Sequence, residues 1–88
     1  MSTVETTEPL IREVRVTDEE IIADLLDGRR ISVPLAWSWR LWEASPEQRA
    51  NVRIIGNGQG AHWPDVDEDI SARGMLTGVP APRPKHLV

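Results

Sequence analysis

IIADLLDGRRISVP, residues 21–34, decides how this chain folds. Ile21, Ala23 and Leu25 recur at every second position, and Ile31 and Val33 repeat the pattern after a break. Asp27-Gly28 lies between the two runs and is a strong hairpin signal. Two registers compete for it. A two-residue Asp27-Gly28 loop pairs Leu26 with Arg29, and parity then places Asp24 on the same face as Ile22, Leu26, Ile31 and Val33. A three-residue loop, Leu26-Asp27-Gly28, pairs Leu25 with Arg29, Ala23 with Ile31 and Ile21 with Val33. That register leaves one face wholly apolar and puts Gly28 at the left-handed position such loops favour. The three-residue loop is therefore the expected one.

Upstream, Val14 and Val16 alternate with Glu13, Arg15 and Thr17, which predicts a half-buried strand that turns at Asp18-Glu19. Residues 1–9, rich in Thr and Glu, are expected to be a mobile lead. Downstream, Val33-Pro34 is extended by the restriction on residues before proline, and Pro34 can open a helix. The spacing predicts a helix over Leu35 to Ala44. Leu35, Trp39 and Trp42 lie along one face, Trp37, Leu41 and Ala44 beside it, and Arg40, Glu43 and Glu47 form a polar stripe.

Ser45-Pro46-Glu47-Gln48 has the form of a capping box with proline at the first helical position, so a short helix follows, ending at Asn51. Val52 to Ile55 reads as a strand, Gly56 to Gly60 as a turn, and Ala61 to Trp63 as a short strand closed by Pro64. A last helix is expected over Ile70 to Leu76, stopping near Gly78. Residues 79–88, VPAPRPKHLV, carry three prolines and read as an extended tail. The expected class is α+β: one domain over residues 10–78, a small antiparallel β-meander with two to three short helices packed on one side.

The chain has 88 residues, room for one small core, and four tryptophans are its only aromatic residues. It has no cysteine, which removes disulfides, zinc thiolate sites and thiol catalysis. No apolar run approaches membrane-spanning length and the first residues lack the pattern of a secretory signal, so a cytoplasmic location is expected. The net charge is −4, without a concentrated basic stripe, and direct nucleic-acid binding is therefore not expected.

AHWPDVDEDI, residues 61–70, gathers His62, Trp63 and four carboxylates. Asp65, Asp67 and Asp69 alternate as in a calcium loop, but the positions that need glycine and a bidentate glutamate hold Ile70 and Leu76. Zinc would need further ligands beside His62. GNGQG, residues 56–60, lacks the ending of a phosphate loop. Asp65 and Glu68 have capping-box spacing, so the acids are expected to mark a helix entrance, each worth about 0.3–1 kcal/mol. No catalytic residue, metal or cofactor is assigned.

WSWRLW, residues 37–42, is apolar almost all round, more than one helix face on a thin sheet can hide. Some tryptophan surface is expected to meet another chain. The candidate interaction surface comprises Trp37, Trp39, Arg40, Trp63, Asp65 and Asp67. Arg40 is placed to pair with Glu43 or with the acidic stretch, and Trp63 suits a core anchor better than a stacking surface.

The ordered run of DGR, VPL, RL, SPEQR and HWPDVDEDIS resembles a bacterial family designated domain of unknown function 2442, over roughly residues 10–78. Where many relatives resemble a Pro-Arg-Leu turn, this chain has Ser38-Trp39-Arg40-Leu41, so its helix is expected to start earlier or run straighter. The resemblance implies a small α+β accessory domain without established enzyme activity. Some members resemble halves of toxin–antitoxin-like pairs, and others are joined to a helix-turn-helix, a segment not seen here. The expectation is a non-enzymatic protein-interaction or regulatory module, antitoxin-like, acting as a homodimer or with a small protein partner. The alternatives are a small metal-dependent hydrolase at His62, Asp65, Asp67 and Asp69, and an acidic decoy that occupies a nucleic-acid-binding protein.

Overall fold

The computed structural model describes residues 8–78. Most of the expected lead and all of the expected proline-rich tail therefore lie outside the described residues. The class is α+β. The antiparallel meander divides into two three-stranded sheets, ordered β1-β2-β3 and β4-β5-β6, joined by short helices.

The first sheet contains β1 (Ile11–Val16), β2 (Glu20–Leu25) and β3 (Arg30–Pro34). Ile21 pairs with Val33 and Ala23 with Ile31, and the Leu25 N–H donates to the Arg29 carbonyl across the three-residue loop. Gly28 takes φ 97°, where a Cβ would be strained. The inward face is Ile21, Ala23, Leu25 and Val33, all buried, with Ile31 partly so. Asp24 is nearly buried as well, but on the outward face, where Arg30 Nε donates to it across 2.6 Å and Arg15 Nη2 across 3.4 Å.

β1 enters this sheet with a bulge. Ile11 pairs with Leu25 and Glu13 with Asp24, which leaves Arg12 as the extra residue. The inserted residue changes parity, so Ile11 and Val14 both point inward although they are three apart. Gly58, at φ 102°, lies against the backbone of Ile11, where an added Cβ would come within 3.2 Å of Ile11 N and O. That close approach ties the two sheets together.

The helix expected over Leu35 to Ala44 is broken. Leu35–Trp37 forms one 3-10 turn, Ser38 is extended at φ −122° and ψ 105°, and α1 (Trp39–Trp42) begins afresh. Ser38 caps α1, its Oγ accepting from the Leu41 N–H at 3.2 Å. The helix thus starts later, not earlier, than the departure from the family pattern suggested. The break also resets the helical phase: Leu35, Leu41 and Ala44 are buried, while Trp42 faces out. α2 (Pro46–Ala50) follows with the full capping box, Ser45 accepting from Gln48 N and Gln48 returning its side chain to Ser45 N.

Arg49 locks this corner. Its Nε donates to the Leu41 carbonyl at 2.9 Å and its Nη2 to that of Trp42 at 3.1 Å, closing the C-terminal end of α1. Nη1 reaches Asp18 at 3.0 Å in the β1–β2 turn. The Arg49 carbonyl in turn accepts from the indole of Trp63, which is 0% exposed. The enclosed tryptophan thus has its polar atom satisfied.

The second sheet contains β4 (Arg53–Ile55), β5 (Gly60–Trp63) and β6 (Glu68–Ser71), followed by α3 (Ala72–Thr77). β6 corrects the expectation of a helix entrance. The acids sit on a hairpin turn and a strand, with Trp63 paired to Glu68 and His62 to Asp69. Ala61, Trp63, Glu68 and Ile70 share the buried face. The helix begins only at Ala72, where the Ser71 Oγ accepts from Gly74 N at 2.9 Å, and it ends on left-handed Gly78.

Candidate functional site

Ser38 and the β5–β6 turn bring α1 against the acidic stretch. The Ser38 hydroxyl donates to Glu68 Oε2 at 2.5 Å, and the Asp69 N–H donates to Oε1 at 3.0 Å. Arg40 Nη1 lies 3.7 Å from the same Oε1 and donates to the Asp67 carbonyl at 3.2 Å. Its guanidinium also lies over the Trp39 ring, 5.0 Å from the centroid. Of its two expected partners, Arg40 thus takes the acidic stretch. Glu68 is 3% exposed, and its oxygens are occupied by donors from within the fold. Such a carboxylate fastens two elements.

A shallow depression of about 280 Å³ is lined by Trp39, Arg40, Glu43 and Val66. Trp42, one helical turn from Trp39, is 56% exposed. Trp39 is half-buried, and Trp37 is partly buried against the core. Trp63, which the candidate surface included, is fully enclosed and takes no part in any surface.

Asp65 and Asp67 are exposed on the turn. Asp65 accepts from Asn51 Nδ2 at 3.0 Å, and Asp67 adopts a left-handed φ of 54°. The structure therefore brings Trp39, Arg40 and Asp67 together, adds Glu43 and Val66 to the lining of the depression, and encloses Trp63. The signal for Trp42 was its position three residues after Trp39, but only the break at Ser38 turns it outward.

The four groups of the hydrolase alternative do not converge on one point. His62 Nδ1 lies 2.7 Å from Asp69 Oδ1, and both stand on the sheet face opposite Glu68 and Trp63. Asp65 turns to Asn51 instead. Among the described residues no three His, Asp or Glu side chains converge to hold a metal ion. Among the same residues no helix is long and apolar enough to cross a membrane.

A family model described as protein of unknown function (DUF2442) matches residues 11–81. The chain belongs to the DUF2442 family. The match spans both sheets and the Ser38–Glu68 latch, so the fastening lies within the family domain. A solved structure of a protein of unknown function from Rhodospirillum rubrum is similar at 30% identity and a TM-score of 0.76. It covers 88% of this DUF2442 chain and 95% of its own. An uncharacterized protein from Chromobacterium violaceum, solved in solution, shares the fold at a TM-score of 0.70 and 24% identity. That likeness covers 83% of this chain and 69% of the other. No curated protein matches this chain.

Proposed function

We propose that this DUF2442 chain is a non-enzymatic protein-interaction or regulatory module, an antitoxin-like accessory that works through the face of α1 and the β5–β6 turn. The observation that carries the proposal is Trp42, a large apolar side chain 56% exposed, three residues after the Trp39 that lines a depression with Val66. Tryptophan is enriched among residues that dominate binding energies, and an apolar centre with a charged rim is the usual anatomy of such contacts. Glu43, Asp65 and Asp67 supply the rim. Self-association is the simplest use of the face, because a two-fold contact covers two copies of the patch at once.

Tryptophan fluorescence on dilution tests this. As the assembly dissociates, Trp42 gains water and the emission shifts to the red. Trp42→Ser should remove that shift while leaving the enclosed Trp63 signal in place. An emission spectrum unchanged across dilution contradicts self-association through this face.

A further inference from the structure

The face described above is apolar at its centre and acidic at its edge. Trp39 and Val66 line the depression, and Trp42, three residues after Trp39 on α1, is exposed. Glu43 lines it together with Arg40, Asp65 and Asp67 are exposed on the β5–β6 turn that carries Val66, and the charge of Glu68 beneath is matched by Arg40. Aromatic-lined surfaces of this kind bind extended proline-rich peptides, whose backbone is already stiff and loses little freedom on docking. An acidic rim adds a preference for Arg or Lys within the peptide.

The same chain contains such a peptide. Residues 79–88, VPAPRPKHLV, alternate Pro80, Pro82 and Pro84 with Arg83 and Lys85, and hold no acid. The sequence therefore contains both partners of a complementary pair.

We propose that the Trp39–Trp42–Val66 face is a docking site for the proline-rich basic segment 79–88 of a second copy of this chain. The proposal rests on the interaction role argued above. It names the ligand: proline rings against Trp42 and Trp39, with Arg83 and Lys85 against Glu43, Asp65 and Asp67. Because each copy carries one face and one segment, the exchange is reciprocal, and the second contact forms within an already tethered pair.

Charge reversal in the full-length chain tests the pairing. Glu43→Lys alone, and Arg83→Glu with Lys85→Glu in another preparation, should each weaken dimerisation at least tenfold by sedimentation at low salt. An equimolar mixture of the two preparations should regain the dimer. In the mixed pair each lysine-bearing face meets an acidic segment, and each unchanged face meets an unchanged segment. Circular dichroism confirms that each variant is folded, as expected for a change at exposed Glu43. Failure of the mixture to recover overturns the proposal, as does a dimer indifferent to both reversals. A dimer that is indifferent to charge yet lost in Trp42→Ser overturns only the segment and leaves the face as the contact. A dimer retained in Trp42→Ser sinks the face itself.

Discussion

The hydroxyl of Ser38 donates to Glu68 Oε2 across 2.5 Å, joining two enclosed residues thirty positions apart. The same oxygen of Ser38 accepts from Leu41 N, so one side chain starts α1 and fastens it to β6. Ser38→Ala removes a helix cap, about 1 kcal/mol, and leaves a buried carboxylate oxygen without its donor, about 1–3 kcal/mol. Urea denaturation should show a loss of about 2–4 kcal/mol. A loss below about 1 kcal/mol would mean that Glu68 finds another donor.

Arg49 is the second fastening, with a guanidinium side chain 13% exposed that bonds two carbonyls of α1 and the carboxylate of Asp18. Arg49→Met should destabilise the protein by about 2–3 kcal/mol, the range for hydrogen bonds to a charged group. Arg49→Lys should recover little, since an ammonium cannot reproduce the fixed fork of a guanidinium. Thermal unfolding of the two variants compares them directly, and recovery by lysine would show that charge alone matters.

Gly28 has open space around it, with no atom within 4 Å of an added Cβ, so only its backbone angle constrains it. Gly28→Val should cost about 1–2 kcal/mol, the penalty for a left-handed L-residue, and Gly28→Asn clearly less. Equal stability of the two variants would place the strain elsewhere.

The register of that hairpin was legible because parity over five apolar residues permits only one buried face. The capping box at Ser45 was legible because both of its bonds are local. The break at Ser38 was not, since Trp37, Trp39, Leu41 and Trp42 satisfy a continuous helix, and the bond that favours the break comes from Glu68. The same long-range pair concealed β6. Glu68 and Ile70 alternate inward, yet a glutamate counts as polar until Ser38 and Arg40 are known to meet it. Asp65 and Glu68 therefore look like a helix cap when read locally. Asp24 makes the complementary point: its burial counted against one register, but two arginines accommodate it on the outward face.

Asp24 also gives the fold an acid limb. The hydrogen bond from Arg30, followed by the charges of Arg30 and Arg15, holds its carboxyl below the usual aspartate range, against an opposing effect of burial. A depressed folded value means the ionised pair stabilises the protein above about pH 4, the unfolded aspartate value. That contribution is lost as pH falls through the lower, folded value. Asp24→Asn should flatten the stability profile over this acid window and lower the plateau above it. Parallel profiles of the two proteins below pH 4 would contradict the assignment.

If α1 presents a contact face at Trp42, sedimentation velocity of wild type and Trp42→Ser at micromolar concentration separates the two proteins. Wild type is expected to sediment as a dimer. Trp42→Ser is expected to sediment as a monomer that still unfolds cooperatively, with a stability lowered by the loss of dimer linkage and of the buried part of the indole. A monomeric wild type, or a dimer that survives the substitution unchanged, would contradict the claim.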